Sequence, residues 1–144
     1  MITFHTIHVA MPQLDTDRVS QWVQTVAVTY GRQVGDIAYI FVDDEEILRV
    51  NQQFLRHDYY TDIITFDYTQ SDVISGDLFI SLDTVSSNAS ALNQPYEREL
   101  YRVLIHGILH LCGINDKGPG EREQMETAEE QALSLIPNLK FDNL

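Results

Sequence analysis

The chain has little of several residue types, and their scarcity excludes whole classes of protein. Its 144 residues include one cysteine. An internal disulfide is therefore excluded, and Cys112, which lies in an apolar run, is interpreted as a buried, reduced thiol. No apolar stretch is long enough to span a bilayer, and the N-terminus does not have the pattern of a signal peptide. We expect one cytoplasmic domain over residues 1–144 that contacts no membrane and buries its core without disulfides.

Positive charge is also scarce. Nine Lys and Arg residues against 22 Asp and Glu residues give a formal net charge of −13. Proteins that neutralise phosphates usually present a basic surface, so this balance favours protein contacts over an extensive nucleic-acid interface. Much of the negative charge lies in residues 43–46 and 121–130, where solvated helix faces are the ordinary interpretation. The overall charge does not determine the local field of a cleft.

The most informative segment runs from His106 to Asp116 and has the pattern of a metal site. His106 and His110 are four residues apart, so on a helix both imidazoles can face one ion. Gly113 can adopt the positive φ that ends a helix, and the reversed chain can bring Asp116 back toward the histidines. Two nitrogen ligands, one oxygen ligand and an open position are the ligand set of a catalytic zinc ion.

Other interpretations of this segment stay open. Asn115 competes with Asp116 as third ligand, although a neutral amide is the weaker one. The two histidines are also explained as the polar edge of a packed helix, with Asp116 capping the next helix. The spacing matches the extended zinc-peptidase pattern as well. However, Gly107 stands where those peptidases carry the glutamate that acts as general base, which makes a peptidase the least favoured interpretation.

Hydrophobic periodicity predicts an α/β (α+β) fold, with a small, mostly four-stranded mixed sheet packed by helices and the histidine helix near the C-terminus. The four strands are predicted at residues 2–10, 37–42, 61–68 and 73–81. Four helices are predicted at residues 15 or 16 to 30, 45–54, 83–92 and 96–112. The strands at 61–68 and 73–81 are expected to pair antiparallel.

Individual side chains in these elements are also assigned by periodicity. Trp22 is expected in the core, and Phe54 is expected to face inward from the second helix. A fifth helix is predicted to open at Gly118-Pro119-Gly120-Glu121, with Pro119 in its first turn.

Three segments occur in an order typical of one family. In chain order, the first comprises Asn51, His57-Asp58 and Thr61-Asp-Ile-Ile-Thr-Phe66, and the second is Gly76-Asp77-Leu78 at the opening of a strand. The third is His106-Gly-Ile-Leu-His110-Leu-Cys-Gly113. With these motifs the chain resembles, over most of its length, the YbeY family of bacterial rRNA maturation factors. That resemblance implies a single-domain α/β metalloprotein that acts as a zinc-dependent endoribonuclease on single-stranded RNA.

The resemblance also implies a ligand set. It predicts one Zn²⁺ per chain, held by His106, His110 and Asp116, where Asp116 stands in place of the family's third histidine. A carboxylate can replace an imidazole on zinc, although the site loses charge and its preference can shift toward manganese or nickel. Asn115 replaces the aspartate that the family has beside this ligand.

Further roles are implied for residues outside the ligand set. The family's arginine after Asn51 falls on Leu55, and Arg56, one position later, is the candidate catalytic cation. The candidate substrate-binding residues are Asn51, His57, Asp62 and Lys117. The implied function is a single-strand-specific endoribonuclease of rRNA maturation and ribosome assembly.

The implied partners are precursor rRNA and the small ribosomal subunit or its assembly proteins. A non-catalytic, metal-stabilised ribosome-assembly factor that works through protein contacts is the alternative. An open, solvent-reachable coordination position on the ion would distinguish the enzyme from the assembly factor, because a fourth protein ligand would count against catalysis.

Overall fold

The computed structural model describes residues 1–55 and 61–136, and within these ranges five helices pack with a four-stranded sheet. The strands are β1 (Ile2–Thr6), β2 (Gln33–Val42), β3 (Ile63–Asp67) and β4 (Val73–Ser81). The helices are α1 (Thr16–Thr29), α2 (Asp44–Leu55), α3 (Leu82–Ala91), α4 (Tyr96–Leu111) and α5 (Glu121–Leu133). The predicted α+β class is confirmed.

The sheet is mixed, with strand order β1-β2-β4-β3. β1 and β4 each pair with β2 in parallel, whereas β3 pairs with β4 antiparallel. The predicted mixed sheet and the predicted antiparallel pair are therefore confirmed. β3 lies at the edge of the sheet, and its residues line the same cleft as His106 and His110 of α4.

Several predicted boundaries were wrong for identifiable reasons. β1 ends at Thr6, well before residue 10, and His8 has a positive φ of 61° that interrupts an extended strand. β2 begins at Gln33 because pairing with β4 extends beyond the apolar run. Gly120, with φ of 75°, is the N-cap of α5. Pro119 therefore precedes the helix instead of occupying its first turn.

The main core lies between one face of the sheet and helices α1, α3, α4 and α5. Trp22 is buried there as predicted, and its Nε1 donates to the carbonyl of Ala132 at 2.7 Å. A smaller cluster under α2 covers the other face. Phe54 was expected to face inward but is 56% exposed, with its ring edge-on to Phe66. Within the described ranges, no helix has the length and hydropathy needed to cross a bilayer.

Two glycines of the sequence motifs, Gly76 and Gly107, allow neighbouring elements to pack closely. A Cβ on Gly76 of β4 would lie 2.4 Å from the carbonyl oxygen of Phe66 on β3. A Cβ on Gly107 of α4 would lie 2.9 Å from Cδ1 of Ile63 and 3.1 Å from Cδ1 of Leu78. The absence of both side chains lets β3 pair closely with β4 and lets α4 lie directly on the sheet.

The Gly76→Ala variant should lose about 1–3 kcal/mol of unfolding free energy, because the added methyl group meets a backbone oxygen that moves only with β3. Urea unfolding of wild type and variant measures this loss. Gly107→Ala is the matched control, and it should lose less. Its contacts are the ends of flexible side chains, and alanine gains up to ~1 kcal/mol of helix propensity over glycine. A Gly76→Ala protein as stable as wild type would contradict the close backbone approach.

Candidate metal centre

Helix α4 carries two histidines on an edge beside the face that packs against the sheet. The imidazole centroids of His106 and His110 are 4.6 Å apart, and the ring planes are inclined by 83°. Their side chains are 16% and 28% exposed. The apolar residues of α4 fix the helix against the sheet, so both rings are held at the floor of a cleft, where solvent reaches them.

The chain reverses directly after α4. Cys112 is the C-cap, Gly113 adopts φ of 101°, and the amide of Ile114 donates back to the carbonyl of Leu109 at 3.0 Å. This reversal brings Asp116 to the histidines, as the position of Gly113 predicted. Glycine is favoured here because residues with a Cβ rarely adopt this left-handed conformation.

The three donor groups fit a divalent transition metal. Oδ2 of Asp116 lies 3.4 Å from Nε2 of His106 and 3.5 Å from Nε2 of His110. One ligand atom from each residue lies within 4.8 Å of the others. Bonds of about 2.0–2.2 Å in a tetrahedral site place neighbouring donor atoms about 3.3–3.6 Å apart. The distances from Asp116 match that spacing.

A fourth residue, Glu129 of α5, contacts the far side of His106. Its Oε2 lies 2.6 Å from Nδ1 of His106, and the side chain is 6% exposed. The interpretation of residues 121–130 as a solvated face was therefore wrong at this position. Glu129 lies one turn after Met125 and three residues before Ala132, both of which are buried. This helical spacing was the available signal that its carboxylate faces inward.

Arg102 of α4 forms ion pairs with three carboxylates next to the site. Its guanidinium lies 2.6 Å from Glu99, 3.1 Å from Glu129 and 3.4 Å from Asp62. Glu99 and Glu129 are both buried, and a buried carboxylate needs such a partner to offset its lost hydration. Hydrogen bonding to Glu99 is the main reason why the pKa of Arg102 is raised above its ordinary value. The cation is thus held inside this carboxylate group.

Burial shifts the pKa values of two side chains at the C-terminal end of α4, His110 and Cys112. Burial, and after it the neighbouring His106, lower the pKa of His110 below its ordinary value of 6.5. The neutral imidazole, which is the form that binds metal, is thereby favoured. Burial raises the pKa of the Cys112 thiol to about 11. Cys112 is a buried free cysteine, as predicted, and its protonated thiol is a poor metal ligand.

Two clefts meet at His106. A cleft of about 500 Å³ includes the polar residues Asn51, Thr61, Asp62 and Asn115, and a second of about 320 Å³ lies on the side of Arg102. His106, Asp116, Asp62 and Lys117 line both clefts. The structure thus places three of the predicted substrate-binding residues, Asn51, Asp62 and Lys117, at the clefts.

The predicted catalytic Arg56 and substrate-binding His57 lie outside the described residues. Leu55, onto which the arginine of the family falls, is 40% exposed and lines the larger cleft.

The position of Gly107 bears on the peptidase interpretation. A side chain there would point at Ile63 and Leu78 in the core. Position 107 therefore cannot supply the general base that zinc peptidases carry after their first histidine.

Comparisons with known proteins identify the family of this chain. A family model described as Endoribonuclease YbeY matches residues 5–136. The Endoribonuclease YbeY of Phocaeicola vulgatus is 65% identical, with 94% of this chain and 99% of the relative covered. That of Bacteroides thetaiotaomicron is 60% identical, with 93% and 98% covered. A Thermotoga maritima protein solved in solution has a TM-score of 0.64 at 27% identity, covering 93% of this chain and 90% of its own. This chain belongs to the YbeY family.

Proposed function

We propose that this chain is an endoribonuclease that cleaves single-stranded RNA during rRNA maturation, with one divalent metal ion bound by His106, His110 and Asp116. The observation that carries the proposal is the convergence of two imidazole nitrogens and one carboxylate oxygen where two clefts meet. Relatives that are 60% and 65% identical over nearly their whole length carry the name Endoribonuclease YbeY. The alternative of a non-catalytic assembly factor is not favoured by these names.

Zn²⁺ is the ion that we propose. Two imidazoles and one carboxylate are a common zinc ligand set, and three protein ligands leave a position for water or substrate. A carboxylate ligand also suits manganese, so the metal preference of this chain can differ from that of a site with three histidines.

The residues of the chain have separate tasks in the proposed reaction. When bound, the ion supplies a water of lowered pKa and polarises a phosphodiester oxygen for in-line attack. His106, His110 and Asp116 hold that ion at the cleft floor. Lys117, which is exposed and lines both clefts, is proposed to bind a phosphate of the strand.

Other substrate contacts follow from chemistry and position. Asn51 and Asp62 line the larger cleft. We assign Asp62 hydrogen bonds to the sugar or base, because an ionised carboxylate repels phosphate but accepts from hydroxyl groups. Asn51, which is 1% exposed, is proposed to contact the strand from the cleft wall. Arg56 is proposed as the cation near the developing charge, and His57 as a substrate-binding residue. The proposed partners are precursor rRNA and the small ribosomal subunit or its assembly proteins, since a net charge of −13 favours protein contacts.

Metal content and RNA cleavage test the proposed function together. Untagged wild-type protein should contain about one zinc ion per chain and cleave a single-stranded RNA. His110→Ala and Asp116→Ala should lose both, because each removes one of three ligands. His5→Ala, which removes an exposed histidine of β1, is the matched control and should keep both.

Two results would contradict this proposal. Stoichiometric, tightly held metal in Asp116→Ala would remove that residue from the ligand set. Bound metal without cleavage under any divalent ion would overturn the endoribonuclease assignment.

Substitution of Lys117 tests its proposed role in binding a phosphate of the RNA strand. Within the described ranges no ion pair engages Lys117, so its charge is available to RNA. Lys117→Ala should raise KM for RNA several-fold with little change in kcat. It should also reduce the salt dependence of log KM by a slope of about 0.7, which corresponds to one phosphate contact on a single strand. Arg49→Ala removes the same charge outside both clefts and should leave KM unchanged. Equal effects of the two variants would show that only net charge matters.

A further inference from the structure

We infer that Glu129 is a positioning residue for the metal centre, which fixes the tautomer and ring orientation of His106 and thereby strengthens metal binding. This inference rests on the proposed function, because it assigns His106 as a ligand. It adds a residue from α5 to a site that is otherwise built from α4 and the segment that follows it.

The geometry assigns the two ring nitrogens of His106 to different tasks. Nδ1 lies 2.6 Å from Oε2 of Glu129, whereas Nε2 lies 3.4 Å from Oδ2 of Asp116. The contact at Nδ1 is much the shorter of the two and has hydrogen-bond length, so we place a ring proton on Nδ1, which donates it to Glu129. The lone pair of Nε2 is then directed toward Asp116 and the proposed ion. A neutral imidazole without this partner is free to place its proton on Nε2, which would block the ligand atom.

Arg102 holds Glu129 in place beside His106. Nη1 of Arg102 donates at 3.1 Å to the same Oε2 that contacts His106. The guanidinium therefore orients this buried carboxylate toward the imidazole. The contact from a carboxylate to a ligand histidine also makes the imidazole a stronger donor to the metal. Loss of such a contact typically lowers metal affinity by about 10–100-fold.

Glu99 provides a matched control within the same charge group. It is as buried as Glu129 and bonds Arg102 at 2.6 Å, but no contact between Glu99 and either histidine is among the interactions of the described residues. Glu99→Gln therefore removes an equivalent buried charge from the same arginine and leaves the His106 contact in place. Glu99 accepts two hydrogen bonds from Arg102 and Glu129 accepts one. An effect that acts through Arg102 should therefore be at least as large in Glu99→Gln.

Zinc affinity of Glu129→Gln and Glu99→Gln, measured by chelator competition with Zn²⁺ alone, tests the inference. We expect zinc binding to weaken about 10–100-fold in Glu129→Gln and to stay close to wild type in Glu99→Gln. Urea unfolding of the metal-free proteins runs alongside, to compare the stability lost by each variant. Equal loss of zinc affinity in both variants, in proportion to lost stability, would show a merely structural role and overturn the inference.

The tautomer of His106 supplies a readout that does not depend on metal or activity. Nitrogen-detected histidine NMR of metal-free protein should show a proton of His106 on Nδ1. Glu129→Gln should lower the population with a proton on Nδ1, and Glu99→Gln should not. A wild-type Nδ1 that carries no proton would overturn the role of Glu129. Failure of wild type to bind zinc, with the tautomer as expected, would instead overturn the proposed function.

Discussion

Close packing of α4 on the sheet is the constraint on which the candidate site depends. Gly107 has no side chain to separate the helix from Ile63 and Leu78, so the helix axis lies close to the strands. That orientation turns the neighbouring edge of α4, with His106 and His110, toward the cleft beside β3. Because α4 is buried along most of its length, the two imidazoles are held by a rigid element. A site on rigid elements keeps its geometry better than one on loops.

Internal pairing explains how so acidic a protein can present a site for RNA. Two of its buried carboxylates, Glu99 and Glu129, are bound by Arg102. Asp116 is directed at the histidines, where a divalent ion would offset its charge. Arg102 and a divalent ion would together offset three of the four negative charges of Glu99, Glu129, Asp62 and Asp116. Lys117 adds a cation where both clefts meet. The net charge of −13 therefore does not determine the field at the cleft floor.

The parts of the site that sequence alone could predict are those governed by local spacing. The turn of helix between His106 and His110, and the helix-ending role of Gly113, follow from helical geometry and glycine conformation. Glu129 was missed because its contact with His106 depends on how α5 docks, 23 residues further along the chain. Phe54 was predicted to be buried but is exposed. The buried face of α2 is narrow, and its position depends on how the helix packs on the sheet, which periodicity alone does not give.

The most direct test of the proposed metal centre is a crystal structure of the zinc-loaded protein with anomalous scattering at the zinc edge. We expect one ion at about 2.0–2.2 Å from Nε2 of His106, Nε2 of His110 and a carboxylate oxygen of Asp116. The remaining position should face the cleft and hold water. A fourth protein ligand that closes this position, or an ion bound elsewhere on the chain, would contradict a catalytic metal centre at these three residues.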